Sequence, residues 1–60
     1  MSKSYRAIFT DRNGERLAAD QFAAEDAVAA IDFADRRAPE AATRFMLCDG
    51  RGREIGEYPL

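Results

Sequence analysis

The 60-residue sequence has no histidine and a single cysteine, Cys48, and each shortage argues against a class of function. One cysteine cannot form a disulfide within the chain, and without histidine or a cysteine pair we expect no metal site. The commonest general base is missing as well. The chain also lacks a glycine-rich phosphate loop and a G-x-S-x-G motif. We therefore expect a protein that is not an enzyme and needs no cofactor.

Long apolar runs are also missing. No stretch approaches the ~18 apolar residues that a transmembrane helix requires, and residues 1–6 lack the apolar segment of a signal peptide. A lone thiol in a chain without an export signal suits a reducing compartment. We expect a cytoplasmic protein that does not associate with membranes.

Neither sign of charge predominates: the sequence has 11 acidic and 9 basic residues, and its net charge is −2. A nucleic-acid binder normally presents a broad positive field, so nucleic acid is not the expected partner. Residues 1–60 are long enough for one domain only, and a domain of this size buries only about 60% of its unfolded surface. Such domains usually need a disulfide, a metal or a partner subunit. Of these three, the composition favours a partner subunit.

What the chain does contain is a strong pattern of strands and tight turns. Residues 4–10 are rich in β-formers, and the turn sequence at 11–14, Asp-Arg-Asn-Gly, predicts a hairpin that returns over 15–20. A second apolar strand is predicted over 42–48. The turn sequence at 49–52, Asp-Gly-Arg-Gly, connects it to a last strand over 53–58.

Between the hairpins the apolar period changes to that of a helix, which we predict over 24–38. Its inner face comprises Ala24, Ala27, Val28, Ile31, Ala34 and Ala38. Pro39 ends the helix. Phe33 lies off this face, which leaves two interpretations: it packs over a sheet edge, or it is an exposed anchor for a partner.

These elements predict an α+β domain of ββαββ layout. Strands one and three are the most apolar and suit the centre of a sheet, whereas strands two and four are more polar and suit its edges. Order 2-1-3-4 makes every neighbouring pair antiparallel. We expect a four-stranded antiparallel sheet with one helix packed on one face.

Alternation along the strands then divides the side chains between the two faces. The set expected to face the helix is Tyr5, Ala7, Phe9, Leu17, Ala19, Thr43, Phe45, Leu47 and Ile55. The set expected on the open face is Arg6, Ile8, Thr10, Arg16, Ala18, Arg44, Met46, Cys48, Glu54 and Tyr58.

The open set mixes arginine with methionine, tyrosine and aliphatic residues, a composition that is enriched at protein interfaces. We expect an interaction surface formed by Arg6, Ile8, Arg16, Arg44, Met46, Cys48 and Tyr58. The partner is then another protein or a second copy, for which a two-fold homodimer is the default. An ordinary half-apolar surface remains the plainer interpretation.

Two other features leave further alternatives open. The apolar C-terminal tail, Tyr58, Pro59 and Leu60, suits a docking peptide read by a protease or chaperone. The arginines of the open face, with Tyr58 for stacking, suit a nucleic-acid binder. The preferred hypothesis is a non-enzymatic interaction module, a small cytoplasmic regulator or adaptor.

The chain also resembles small bacterial proteins of ββαββ layout for which no function is established. The resemblance rests on the start of the helix at Glu25-Asp26-Ala27 and on the final Asp-x-x-Gly hairpin at 49–52. It covers most of the chain and implies the same fold. It transfers no functional residue.

Overall fold

The computed structural model describes residues 2–60 and confirms the ββαββ layout. Its elements are β1 (Lys3–Thr10), β2 (Arg16–Ala24), α1 (Ala27–Arg37), β3 (Arg44–Asp49) and β4 (Glu54–Pro59). The strands form one sheet in the order β2-β1-β3-β4, and each neighbouring pair is antiparallel. Strand order and strand directions are those predicted from the sequence.

The two largest differences from the predicted element boundaries lie between β2 and α1, and the other ends agree to within one or two residues. Strand β2 continues to Ala24, so that Phe22 belongs to the sheet. Helix α1 starts at Ala27 because Asp26 is its N-cap: the Asp26 carboxylate accepts a hydrogen bond of 2.8 Å from the Ala29 N–H. An aspartate in this position satisfies one of the free N–H groups of the first turn and fixes where the helix begins.

The core lies between α1 and the sheet. The helix presents Ala30 and Ala34, both fully buried, and such small side chains let its backbone approach the strands closely. The largest fully buried side chains beneath it are Phe9, Phe45 and Leu47. The complete buried cluster is Tyr5, Ala7, Phe9, Ala30, Ala34, Phe45 and Leu47.

Val28 does not belong to the inner face of the helix, contrary to the prediction. Its side chain is 76% exposed, whereas Ala30, which the predicted face omitted, is fully buried. The predicted face counts steps of three and four residues from Ala24, but Ala24 lies in β2 and not in the helix. Counting from Ala24 selects Val28, whereas counting from Ala27, the first residue of the helix, selects Ala30.

Both hairpins close with the same turn. In the first, the Gly14 N–H donates to the Asp11 carbonyl at 3.0 Å, and the Asp11 N–H donates to the Glu15 carbonyl at 2.9 Å. The Asp11 carboxylate accepts from the N–H groups of Asn13 and Glu15 at 2.9 Å each. Gly14 has φ = 81°, a conformation that glycine adopts without steric cost. This is a three-residue hairpin loop with a glycine bulge.

The second turn repeats this arrangement. Asp49 takes the place of Asp11, and its carboxylate accepts from the N–H groups of Arg51 and Arg53 at 2.9 Å each. Gly52 takes the place of Gly14, with φ = 83°. The shared Asp-x-x-Gly spacing therefore produces the same turn twice.

Each hairpin also contains a β-bulge one residue after its return strand begins. In the first, Thr10 pairs with Arg16 but Phe9 pairs with Ala18, so Leu17 is the extra residue. In the second, the register shifts between Leu47 and Cys48, and Ile55 is the extra residue. One extra residue reverses the face of every side chain that follows it.

The bulges overturn the predicted faces of β2 and β4. Leu17, Ala19 and Ile55 were expected to face the helix, and Ala18 and Tyr58 were expected on the open side. The register pairs Ala18 and Tyr58 with helix-facing residues and Ala19 with Ile8 of the open side. The bulge residues Leu17 and Ile55 have no partner in the register, and each is 40% exposed instead of buried under the helix. Unbroken alternation is the assumption that failed.

Burial of aromatic side chains explains why the side-chain alternation of β2 and β4 shifts by one residue. Phe22 pairs with Tyr5, and the two ring centroids lie 6.4 Å apart. Tyr58 packs on Phe45 at 5.5 Å. An aromatic side chain buries 150–250 Å², more than an aliphatic one. Burying one aromatic ring in each return strand therefore outweighs leaving Leu17 or Ile55 outside.

The bulge in β2 predicts different effects on stability for substitutions of two apolar residues in that strand. Phe22→Ala should lower the free energy of unfolding by about 2–3 kcal/mol, because it removes a half-buried ring from the edge of the core. Leu17→Ala should cost less than about 1 kcal/mol, because this side chain lies on the open side. Urea unfolding at low protein concentration measures both, and the opposite ranking would restore the unbroken register.

The turns make a second prediction. Gly14→Ala should cost about 1 kcal/mol, because a Cβ atom disfavours the left-handed conformation. Nothing lies within 4 Å of where that Cβ would stand, so crowding does not contribute. Gly14→Asn is the matched control and should cost less, since asparagine tolerates this conformation. Equal losses for both variants in a thermal melt would contradict the conformational explanation.

Candidate protein-interaction surface

The sheet has one face that no element of residues 2–60 covers, which we call the open face. It lies opposite α1 and is built from alternate residues of all four strands together with the two bulges. Its central members are Arg6, Ile8, Thr10, Arg16, Leu17, Ala19, Gln21, Arg44, Met46, Cys48, Glu54, Ile55 and Glu57.

An apolar band, the stripe, crosses this face from one edge strand to the other. It comprises Leu17, Ile8, Met46, Cys48 and Ile55. At its centre Ile8 lies directly opposite Met46 in the β1–β3 register. At its two ends Leu17 and Ile55 are each 40% exposed. Because the two hairpins share the same turn and bulge, these ends occupy equivalent positions in them.

Charged side chains frame the stripe unevenly. Strands β1 and β2 contribute Arg6 and Arg16, whereas β4 contributes Glu54 and Glu57. Within residues 2–60 only one salt bridge forms on this face, between Arg44 Nη1 and Glu57 Oε1 at 3.2 Å. Both of its side chains are more than half exposed, so the pair adds little stability. The face is positive on one half and acidic along the opposite edge.

The structure brings together six of the side chains predicted to form the interaction surface. These six are Arg6, Ile8, Arg16, Arg44, Met46 and Cys48. Tyr58 is the correction: it pairs with Phe45 and packs on the helix side. Leu17, Ile55 and Glu57 are not among the residues predicted for this surface; the bulges bring them to the open face. For Leu17 and Ile55 the only signal in the sequence is the repeated spacing Asp-x-x-Gly-x-x-aliphatic, which occurs once in each hairpin.

Cys48 is part of this surface but hardly accessible. It is 7% exposed, and its cross-strand neighbours are Arg6 and Glu54. Its place in the register makes it a packing residue beneath the charged frame. Over residues 2–60, no three histidine, cysteine, aspartate or glutamate side chains are close enough together to hold a metal ion.

The C-terminal tail is integrated into the sheet. Tyr58 and Pro59 belong to β4, and the Leu60 N–H donates to the Thr43 carbonyl at 3.0 Å. Leu60 itself is 42% exposed. To act as an extended docking peptide, this segment would have to give up its strand pairing and the contact between Tyr58 and Phe45.

Phe33 packs over the edge of the sheet, which was one of its two predicted interpretations. Its ring stacks on Phe22 of β2 with the centroids 4.6 Å apart. The Arg37 guanidinium lies 5.0 Å above the Phe33 ring and also pairs with Asp20 at 2.7 Å. This cluster fastens the C-terminal half of α1 to the edge strand.

An open groove of about 460 Å³ lies beside the second turn. It is lined by Lys3, Ser4, Tyr5, Asp49, Gly50, Arg51 and Arg53. Its cations do not converge on one point that a small anion could occupy, because Arg53 already pairs with Asp49 at 3.3 Å. The groove shows no unpaired buried polar group that would select a ligand, since no buried side-chain nitrogen or oxygen among residues 2–60 lacks a hydrogen-bond partner.

The single helix within residues 2–60 is too short and too polar to span a bilayer. Comparison with protein families, with curated proteins and with solved structures finds no match to this chain. Inference about function therefore depends on the geometry of the open face alone.

The second turn makes a prediction about pH. Hydrogen bonds from backbone N–H groups, first that of Arg53 and then that of Arg51, hold the pKa of Asp49 below its ordinary value of 3.8. A carboxyl group with a lowered pKa stabilises the fold above pH 3.8, and this contribution is lost as the pH falls through the folded-state pKa. An NMR titration of Asp49 should give a midpoint below 3.8.

Arg53→Ala is the control for that titration. The variant keeps the backbone N–H of residue 53, which is the main cause, and removes only the guanidinium. The pKa of Asp49 should therefore stay low in Arg53→Ala. A return to the ordinary value would assign the effect to the salt bridge instead of the turn.

Proposed function

We propose that the protein is a non-enzymatic interaction module, a small cytoplasmic adaptor or regulator that binds another protein chain through the open face. The observation that supports this most is the stripe, whose ends Leu17 and Ile55 are each 40% exposed and whose central pair, Ile8 and Met46, is partly exposed. Contiguous apolar surface framed by charges marks binding sites more often than it marks idle surface.

The composition of the face supports the same proposal. Met46 is flexible enough to adapt to a partner's surface, and methionine and arginine are both enriched at interfaces. The cations among the central open-face residues are Arg6, Arg16 and Arg44. The proposed location in the cytoplasm accords with the unpaired thiol of Cys48.

Nucleic-acid binding has less support. Its sequence argument combined the open-face arginines with Tyr58, but Tyr58 lies on the other side of the sheet. Glu57 forms a salt bridge with Arg44, and Glu54 adds a second negative charge to the face. No aromatic ring is among the central open-face residues to stack on a base. A weak, steeply salt-dependent affinity for a single-stranded oligonucleotide would be the sign of this alternative.

The test introduces one charge at the centre of the stripe. Met46→Lys places the new ammonium opposite Glu57, where the monomer can accommodate it on the exposed sheet surface. Within an interface the same charge would be desolvated among apolar side chains, at a cost of several kcal/mol. We expect Met46→Lys to keep its melting temperature within a few degrees but to lose protein binding.

Val28→Lys is the matched control, because Val28 is also apolar and exposed but lies on the helix, away from the open face. Each tagged variant is incubated with a lysate of native host cells, and the bound proteins, including untagged copies of the chain itself, are quantified. Binding that survives in Val28→Lys and disappears in Met46→Lys supports the proposal. Partners retained by Met46→Lys would move the site to another surface, and deletion of Pro59 and Leu60 would then test the tail.

A further inference from the structure

The charge pattern of the open face matches that of a second copy of itself. We propose that the protein forms a two-fold symmetric dimer in which the open faces of two sheets pack against each other. This inference rests on the interaction surface proposed above and identifies its partner as the same chain. Two observations support it: the extent of the face, and the way its charges are distributed.

The extent of the face is sufficient for a small dimer interface. Four strands about 4.8 Å apart and six residues rising about 3.4 Å each give a projected area of roughly 400 Å². Side chains corrugate the surface, so two copies together would bury roughly 1,000 Å² of accessible area, the lower end of specific interfaces. We therefore expect a modest dissociation constant, about 1–100 µM.

A two-fold axis that runs parallel to the strands, between β1 and β3, aligns the apolar parts of two copies. Such an axis lays β1 over β3 of the partner and β2 over β4 of the partner, in the aligned packing typical of β-sandwiches. Ile8 then faces the partner's Met46, and Met46 faces the partner's Ile8. The centre of the contact is therefore apolar on both sides, and symmetry makes the contact twice.

The same axis brings opposite charges together. Glu54 and Glu57 of β4 lie over the half of the partner that carries Arg6 and Arg16. In the register, Glu54 and Arg6 both flank Cys48, so they stand at the same height along the strands. Across the interface Glu54 lies over the partner's Gln21, one strand spacing of about 4.8 Å to the side of the partner's Arg6, which the long arginine side chain can span. A two-fold axis perpendicular to the strands would instead stack β4 on the partner's β4 and place like charges together. Electrostatics therefore selects the parallel axis.

The dimer would also relieve the weakness of the monomer. Among residues 2–60 only three large side chains are fully buried in the core, and a single cysteine cannot form a disulfide within the chain to compensate. Covering Leu17 and Ile55, each 40% exposed, adds a second apolar layer on the other side of the sheet. Domains of this size commonly gain stability from a partner subunit.

Sedimentation equilibrium from roughly 10 µM to 1 mM tests the dimer directly. The wild type should pass from its monomer mass of 6.7 kDa to twice that value as its concentration rises. Met46→Lys should weaken association at least about tenfold, and Val28→Lys should associate like the wild type. Circular dichroism of each variant confirms that the monomer remains folded.

Charge reversal tests the orientation without touching the apolar centre. Arg6→Glu and Glu54→Arg should each associate several-fold more weakly than the wild type, because each variant brings like charges close together across the interface. An equimolar mixture of the two should associate again, because both cross-interface pairs in the mixed dimer are then opposite in sign. An effect inside the monomer would not be repaired by mixing.

Two outcomes overturn the dimer, and a third overturns its orientation. A wild type that stays monomeric at 1 mM excludes it, as does a dimer that Met46→Lys leaves intact. Failure of the mixture to associate excludes the parallel axis. If the wild type is monomeric but still captures a different protein in a way that depends on Met46, the interaction module stands and only the identity of its partner is wrong.

Discussion

The close packing of one alanine-faced helix on the sheet is the constraint on which the rest of the structure depends. Ala30 and Ala34 let α1 approach Phe9, Phe45 and Leu47 closely enough to exclude water from all five side chains. An 11-residue helix is about 16 Å long and about 10 Å wide. It can therefore cover most of one sheet face and nothing of the other. The opposite face is left open because no second helix exists among residues 2–60.

The two β-bulges decide which side chains occupy the covered face. Without them Leu17 and Ile55 would point toward the helix, and Phe22 and Tyr58 would point away. With them the aromatic rings extend the core toward both sheet edges, where Phe22 stacks on Phe33 and Tyr58 packs on Phe45. The aliphatic side chains are displaced onto the open face. The stripe is thus a direct result of how the core was filled.

The sequence was sufficient to predict the topology because each of its signals is local. The Asp-x-x-Gly turns, the change of apolar period and Pro39 mark the element boundaries without reference to distant residues. The central strands were assigned to the correct faces for the same reason: β1 and β3 alternate without interruption. Arg6, Ile8, Arg44 and Met46 therefore lie on one face of the two central strands, as the alternation predicts.

The faces of the return strands could not be predicted in the same way. A bulge follows from the competition between burying Leu17 and burying Phe22, and that comparison requires the position of the helix. Tyr58 was misplaced because the competing residue in its strand is Ile55, and both are plausible core residues. The helix start was misjudged for a simpler reason: Ala24 continues the apolar period, but the Asp26 cap begins the helix later.

The duplicated turn has a consequence for how the chain folds. Each hairpin closes through contacts between residues near in sequence, and such units form in about 1–10 µs. The contact that unites them, between β1 and β3, joins residues that lie far apart and must close a loop containing the entire helix. The two hairpins are therefore expected to form first and independently. We expect their docking through Phe9 and Phe45, with α1 packed above, to be the slow step of folding.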